Sequence, residues 1–197
     1  MTKPVTSGDL EFRFRSNRPS LDFVATLGER GHRDIERIPT GYELADWLVH
    51  AGLVLSPPII SNAEHQEAIN LREAMNSVLV SVTQPCEIAR PDINEINDFA
   101  RRPPLTPVLS GDARSCGWRA DAPFHATLSS LARDFIELLA TYQPERIKRC
   151  ADKNCCMFFL DTTRAGTRRW CATDGKGCGN KAKRRAFSAR QRAKLVS

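Results

Sequence analysis

Apolar residues recur at every third or fourth position in five stretches of the chain. Such spacing places them on one face of an α-helix, which can then pack against a core. The pattern therefore predicts five helices. The apolar positions that define them are Leu21, Val24 and Leu27; Leu44, Ala45, Leu48 and Val49; Ala68, Leu71, Met75, Val78 and Val82; Ile93, Ile96 and Phe99; and Leu128, Leu131, Phe135, Leu138 and Leu139.

Residues that favour the beginning or the end of a helix flank these stretches. Ser61 followed by Glu64 has the spacing of a reciprocal capping box, so the longest helix is expected to begin there. Gly52 is suited to ending the second helix, and Pro91 to starting the fourth. Pro144 ends the fifth helix.

Two segments favour extended chain. Phe12 and Phe14 alternate with arginines, as in a strand with one buried face. Val108 and Leu109 precede a Ser-Gly-Asp turn, and residues 116–119 follow it, which predicts a hairpin. The expected fold class is mainly α (α+β): a helical N-terminal domain with a small hairpin, followed by a smaller C-terminal module.

Length and composition narrow the class of protein. A chain of 197 residues with 41% hydrophobic and 26% charged residues has the make-up of a globular protein, which excludes wholesale disorder and fibrous repeats. The longest apolar stretch, near residues 47–55, is far shorter than the roughly 18 residues of a membrane span. The first residues lack the features of a secretory signal, so we expect a cytoplasmic location.

The charge is divided unequally along the chain. Residues 1–145 hold 14 Lys and Arg against 20 Asp and Glu, a net of −6, whereas residues 146–197 hold 15 against 3, a net of +12. A short segment of such charge repels itself when compact, and a polyanionic partner would relieve that repulsion. We therefore divide the chain into a helical regulatory domain, 1–145, and a basic module, 146–197.

Five of the seven cysteines lie between residues 150 and 178. Clustering of this kind in a reducing compartment favours metal ligation over disulfides. Cys150 and Cys155 form one pair and Cys171 and Cys178 a second, and four soft ligands of this type suit tetrahedral zinc. Zinc is the predicted cofactor. We assign Cys156 to packing, because it is adjacent to Cys155 and points elsewhere.

The residues between the two pairs are expected to fold back on themselves. Residues 157–161 form a good short strand, and residues 168–170 are a plausible return strand that would bring the two turns together. A redox dithiol is the competing chemistry, but no two-residue Cys-x-x-Cys gap is present. The isolated Cys86 and Cys116 are expected to be buried and inert.

The segment after Cys178 predicts a basic helix. On a helix Lys181, Arg184, Arg185 and Arg192 share one face with Ser188 and could line one groove of a nucleic acid. Gly179 and Asn180 suit a turn after the last ligand. The predicted nucleic-acid contacts are Arg168, Arg169, Lys181, Lys183, Arg184, Arg185, Arg190 and Arg192.

These residues resemble the CGNR zinc finger family of bacterial proteins. The resemblance rests on residues 159–161 (FLD), 168–171 (RRWC) and 178–180 (CGN), together with an N-terminal part similar to the helical, ABATE-like domain found upstream in that family. Lys181 stands where the signature has arginine, which keeps the charge and loses the bidentate geometry. The gap between Cys171 and Cys178 is also longer than in the family.

The resemblance implies a treble-clef-like or knuckle-type zinc finger in a stress-related transcription regulator. DNA would then be the partner of the finger, and the helical domain could sense a small molecule or a protein. An RNA-binding or ribosome-associated zinc module is the alternative.

Enzyme activity is not expected, because no catalytic motif is present and four thiolates leave zinc no open position. The sequence leaves the oligomeric state open. Asp161 is expected to pair with a nearby arginine.

Overall fold

The computed structural model describes residues 4–84, 86–175 and 177–196. Within these residues the chain forms helices and short strands. The helix-rich part comes first, and the cysteine-rich region with its terminal helix comes last. The helices are α1 (Ser7–Leu10), α2 (Pro19–Val24), α3 (Gly41–His50), α4 (Asn62–Thr83), α5 (Arg90–Arg101), α6 (Pro123–Thr141) and α7 (Cys178–Val196), and the strands are β1 (Leu27–Gly28), β2 (Ile35–Glu36), β3 (Thr106–Leu109), β4 (Cys116–Arg119), β5 (Ile147–Arg149) and β6 (Phe158–Leu160).

The strands pair antiparallel in three two-stranded sheets, β1 with β2, β3 with β4 and β5 with β6. The mainly α (α+β) fold class is therefore confirmed. The β3–β4 hairpin lies where the sequence predicts it, with Leu109 opposite Cys116.

Helix ends follow the local chemistry of the sequence. The Ser61 hydroxyl accepts a hydrogen bond from the Glu64 amide at 3.3 Å, and the Glu64 carboxylate accepts one from the Ser61 amide at 2.8 Å. Helix α4 begins at this capping box and is the longest of the described helices, with 22 residues. Helix α3 ends before Gly52, which has a φ of +69° and so adopts the left-handed conformation that glycine favours.

Two segments near the N-terminus differ from the regular elements predicted. The segment containing Phe12 and Phe14, expected to be a strand or extended chain, forms no strand, and the ring of Phe14 stacks on Trp47 with centroids 5.9 Å apart. Leu27 lies in β1, opposite Glu36, so its predicted place in the first helical stripe with Leu21 and Val24 was wrong. Both segments are too short for periodicity to outweigh tertiary packing.

The main core lies among helices α2 to α6. Its largest fully buried side chains include Trp47, Phe23 and Phe135. The helical stripes predicted from the sequence supply most of this core, since Leu71, Met75 and the other buried positions of α4 repeat at three and four residues.

The same core continues past residue 145. Ile147, Phe158 and Leu160 from the β5–β6 hairpin are buried in the cluster formed by the helices. The Leu160 amide donates to the Ser16 carbonyl at 2.8 Å, and the Asn17 side chain donates to the Leu160 carbonyl at 3.0 Å. The division at 145/146 stays a prediction, and no gap in the packing marks it.

The expectation that Cys86 and Cys116 are buried was wrong. Both are exposed. Cys86 follows the end of α4, and Cys116 lies on the β3–β4 hairpin, most of whose residues face solvent. Residue type alone predicts burial poorly where the local element does not reach the core.

Asp22 connects helix α2 to the preceding chain. Its carboxylate accepts hydrogen bonds from the amides of Arg15 and Ser16 at 2.9 and 3.0 Å. Burial outweighs these bonds and raises the pKa of Asp22 to about 6. Because the folded protein binds this proton more tightly than the unfolded chain, the contribution of Asp22 to stability is greatest in acid and falls as the pH rises from about 4 to above 6.

We expect Asp22→Asn to gain stability relative to the native protein as the pH rises from 4 to 7. One pKa unit corresponds to about 1.4 kcal/mol, so the difference in unfolding free energy is expected to change by up to about 3 kcal/mol. Urea unfolding at several pH values measures it. A difference that stays constant with pH would contradict the raised pKa, and any pH-independent loss of packing by asparagine does not affect the comparison.

Candidate metal centre and basic surface

Cys150, Cys155, Cys171 and Cys178 converge at the C-terminal end of the molecule. All four are buried, and their sulfur atoms lie within 4.8 Å of one another. Phe159 and Ala25 complete the small apolar cluster around them, and Trp170 packs against it. The two cysteine pairs predicted from the sequence are thus brought together.

The β5–β6 hairpin positions the first pair. Strand β5 ends immediately before Cys150, and the Cys150 amide donates to the Met157 carbonyl at 2.9 Å, next to the start of β6. The Cys155 amide donates to the Asp152 carbonyl at 2.9 Å and closes a tight turn. Both sulfurs therefore lie at the tip of one hairpin.

The second pair comes from a loop and a helix. Cys178 is the first residue of α7, and the Gly179 amide donates to the Ala172 carbonyl at 2.8 Å. A Cβ atom on Gly179 would lie 2.8 Å from Thr173 Cγ2 and 3.1 Å from Trp170 Cδ1, so only glycine fits this close approach.

The expected return strand at residues 168–170 was wrong. Strand β6 pairs with β5, which precedes the first cysteine, and residues 168–170 form no strand. A backbone bond of 2.9 Å from the Ala151 amide to the Arg169 carbonyl links the two halves of the site. Asn180 is also inside α7 and donates to the Gly175 carbonyl at 2.6 Å, instead of lying in a turn after the last ligand.

The sulfur positions fit a tetrahedral zinc ion. Zinc–thiolate bonds of about 2.3 Å in a tetrahedron place the sulfurs about 3.8 Å apart. The Sγ atoms of Cys155 and Cys171 are 3.7 Å apart. Four buried cysteines this close together form a typical zinc site.

Hydrogen bonds to the Cys150 thiolate raise the pKa of Cys155, Cys171 and Cys178, and burial raises it further. Those same hydrogen bonds lower the pKa of Cys150. The protein atoms alone thus favour a single thiolate, and a bound cation is what would hold four of them deprotonated.

Cys156 points away from this cluster. Its backbone has a φ of +56°, and its half-buried sulfur lies 3.6 Å from the carbonyl oxygens of Arg30 and Lys153. The reversal of direction between adjacent residues at this tight turn separates Cys156 from Cys155.

Asp161 stabilises the loop that follows β6 through hydrogen bonds. Its buried carboxylate accepts hydrogen bonds from Lys148 Nζ at 2.9 Å, from the Thr163 amide and hydroxyl, and from the Arg168 amide at 2.8 Å. Burial raises the pKa of Asp161, but these bonds outweigh it and hold that pKa below its usual range. The expected arginine partner was wrong, because the ion pair is with Lys148.

Arg168 makes internal contacts. Its guanidinium donates to the carbonyls of Trp170 and Cys171 and stacks over Phe159 at 4.4 Å from the ring centroid. It also reaches the Arg15 carbonyl at 3.3 Å. Arg168 therefore cross-links the metal site, whereas the neighbouring Arg169 is exposed.

Helix α7 leaves the body of the protein after its first turn. Every described side chain from Lys183 to Arg192 is exposed. The face predicted from helical spacing is a continuous exposed surface formed by Lys181, Arg184, Arg185, Ser188, Ala189 and Arg192. The sequence contains no acidic residue in α7, and the described helix has one contact with a carboxylate, between Arg185 and Asp152 at 3.8 Å.

Phe187 is a feature of this helix that the sequence reading missed. Its ring is 58% exposed and lies among basic residues. No neighbouring element in the described part of the chain covers this side chain.

The fold and the site together define a helical domain joined to a four-cysteine zinc finger. The family model ABATE, described as "Putative stress-induced transcription regulator", matches residues 17–142, and the CGNR zinc finger model matches residues 146–191. The chain belongs to the ABATE family and carries a CGNR zinc finger, as its sequence motifs indicated. No curated protein matches the chain.

The described part of the chain has no helix of the length and apolarity needed to cross a membrane.

We expect Asp161→Ala to destabilise the zinc-loaded protein by about 3 kcal/mol, because Lys148 and three other donors lose a buried acceptor. Urea unfolding measures the change. The matched control is Asp98→Ala, which removes an exposed ion pair with Arg101 and is expected to cost less than about 0.5 kcal/mol. Equal effects of the two substitutions would show that Asp161 does not organise the site.

Proposed function

We propose that this protein is a zinc-dependent transcription regulator that binds duplex DNA through helix α7. Cys150, Cys155, Cys171 and Cys178 are the zinc ligands in this proposal. The observation that carries it is that Cys178 is also the first residue of the basic helix. The metal site therefore anchors and orients the surface that meets the nucleic acid.

The charge of α7 supports a polyanionic partner. Lys181 and Arg185 are four residues apart on one face, and like charges at that spacing destabilise a helix. An exposed helix of this kind gains stability when phosphates neutralise it. Lys183 and Arg190 extend the basic surface to another side of the helix, and Arg169 adds charge beside the metal site.

We propose no enzymatic role. The two families that match are a zinc finger and a regulator family. Four thiolate ligands would complete the tetrahedron of zinc and leave no position for a substrate or for water.

The helical domain would supply the regulatory input in this proposal, acting with the finger in the cytoplasm. Its ABATE family membership supports a regulatory role. The sensing of a small molecule or a protein by residues 1–145 stays a prediction.

The exposed Phe187 favours one alternative, an RNA-binding or ribosome-associated module. Unpaired bases stack on exposed aromatic rings, and a basic helix around such a ring would also hold the phosphates. A rigid duplex offers no such unpaired base, so duplex and single-stranded ligands distinguish the two functions.

We expect serine at position 150, 155, 171 or 178 to abolish stoichiometric zinc binding, because each substitution removes one of four ligands. Cys156→Ser is the matched control and is expected to retain one zinc. Metal content of the purified variants measures both outcomes. Loss of zinc from Cys156→Ser together with retention by Cys155→Ser would move the first ligand pair by one residue.

We expect neutralising Arg184 and Arg185 together to flatten the salt dependence of duplex binding. Each phosphate contact contributes a slope of about −0.9 in log affinity against log salt, so the slope is expected to fall by about 1.8 while zinc content is unchanged. Fluorescence anisotropy with a labelled duplex at several salt concentrations measures it. The control variant replaces Arg114 and Arg119, which are exposed on the distant β3–β4 hairpin.

An absence of salt-dependent affinity for any duplex would reject the proposed function. Tighter binding to single-stranded RNA of the same length, lost in Phe187→Ala, would instead support the RNA alternative.

A further inference from the structure

Arg37 is a buried arginine in the helical domain with an unusual set of partners. It is 3% exposed, its Nε donates to the Glu11 carbonyl at 3.1 Å, and its Nη1 donates to the Ala25 carbonyl at 3.0 Å. Its Nη2 is buried and has no hydrogen-bond partner among the described residues. Backbone carbonyls can accept these hydrogen bonds, but they do not neutralise the charge.

Arg37 forms no ion pair with a carboxylate in the described part of the chain. The nearby carboxylates, Asp9 and Glu29, are both bound to Arg33, at 3.1 and 2.7 Å. By contrast, the other deeply buried arginine, Arg72, makes a paired contact with Glu36 at 2.8 Å. A buried charge without a counter-charge is costly, so a nearby anion would stabilise the guanidinium of Arg37.

The metal site lies next to Arg37. Arg37 and Cys155 line the same small cavity, whose volume of about 10 Å³ leaves room for about one water molecule. Ala25, whose carbonyl accepts from Arg37, belongs to the apolar cluster around the four cysteines. Four thiolates around Zn²⁺ would carry a net negative charge, and this charge would lie at the cavity that Arg37 also lines.

Gly28 leaves space for the guanidinium of Arg37 at this cavity. A Cβ atom on Gly28 would come within 2.4 Å of Arg37 Nη1 and 2.8 Å of Arg37 Nη2. Gly28 is thus the residue that admits the charged group between strand β1 and the metal site.

We propose that Arg37 is the counter-charge of the zinc–thiolate centre and that it couples the helical domain to the finger. The inference rests on the proposed ligand set. Arg37 donates to the carbonyls of Glu11, in the N-terminal segment, and of Ala25, in the chain after α2. The positions of both segments therefore depend on the charge at the zinc site. Arg37 acts as a positioning residue and is not a ligand.

The test measures zinc affinity by competition with a chromophoric chelator, using the full chain. Groups that surround a metal's ligands typically change its affinity roughly 10–100-fold when removed. We expect Arg37→Met and Arg37→Gln to weaken zinc binding by that amount while one zinc still binds at saturation. Arg37→Lys keeps the charge and is expected to remain within a few-fold of the native affinity.

Arg72→Met is the matched control, since it removes an equally buried arginine whose charge is already paired with Glu36. It is expected to lower stability without changing zinc affinity. If Arg37→Lys weakens zinc binding as much as Arg37→Met, the role of Arg37 is hydrogen bonding or packing, and the proposal is overturned. Unchanged affinity in Arg37→Met overturns it as well.

Gly28→Ala provides a second route if the neutral Arg37 variants do not fold. It retains the charge but displaces the guanidinium, so zinc affinity is expected to fall, whereas Gly117→Ala, at an open position, is expected to leave it unchanged. Native affinity in Gly28→Ala would overturn the proposal. The experiment is separate from the test of the ligands, because that test asks which serine variants lose zinc, whereas the Arg37 variants are expected to retain one zinc whether or not the role proposed for Arg37 is correct.

Discussion

Strand β6 is buried on both faces, and the arrangement of the molecule depends on this constraint. Phe158 and Leu160 point into the helical core, while Phe159 between them packs against the cysteine cluster. Successive side chains of a strand point to opposite faces, so one short strand belongs to two cores at once. The metal centre and the helical domain therefore cannot move independently at this strand.

Polar contacts reinforce the same junction from three directions. Asp161 holds the loop after β6 through Lys148, Arg168 joins that loop to the second cysteine pair, and Asn17 binds the end of β6 itself. None of these contacts involves helix α7, whose described side chains are exposed from Lys183 to Arg192. A rigid anchor and an exposed basic helix thus follow from one local architecture. Our proposals for DNA binding and for Arg37 both build on this arrangement.

Much of the fold could be predicted from the sequence where local chemistry decides. The capping box at Ser61, the left-handed glycine at position 52 and the periodic stripe of α4 each act within one element, and each was confirmed. The cysteine spacing predicted the zinc site, because two pairs of soft thiol ligands suit tetrahedral zinc. The basic residues after Cys178 predicted the basic helix.

Contacts distant in the sequence were decided by the tertiary structure alone. The pairing of β6 with β5, the exposure of Cys116 and the internal role of Arg168 depend on which elements meet, and no periodicity records that. Arg37 and Cys155, which are far apart in the sequence, line the same cavity. The sequence determined the elements and the metal chemistry, whereas packing decided which charges are free and which are enclosed, because burial depends on neighbours that only the folded chain supplies.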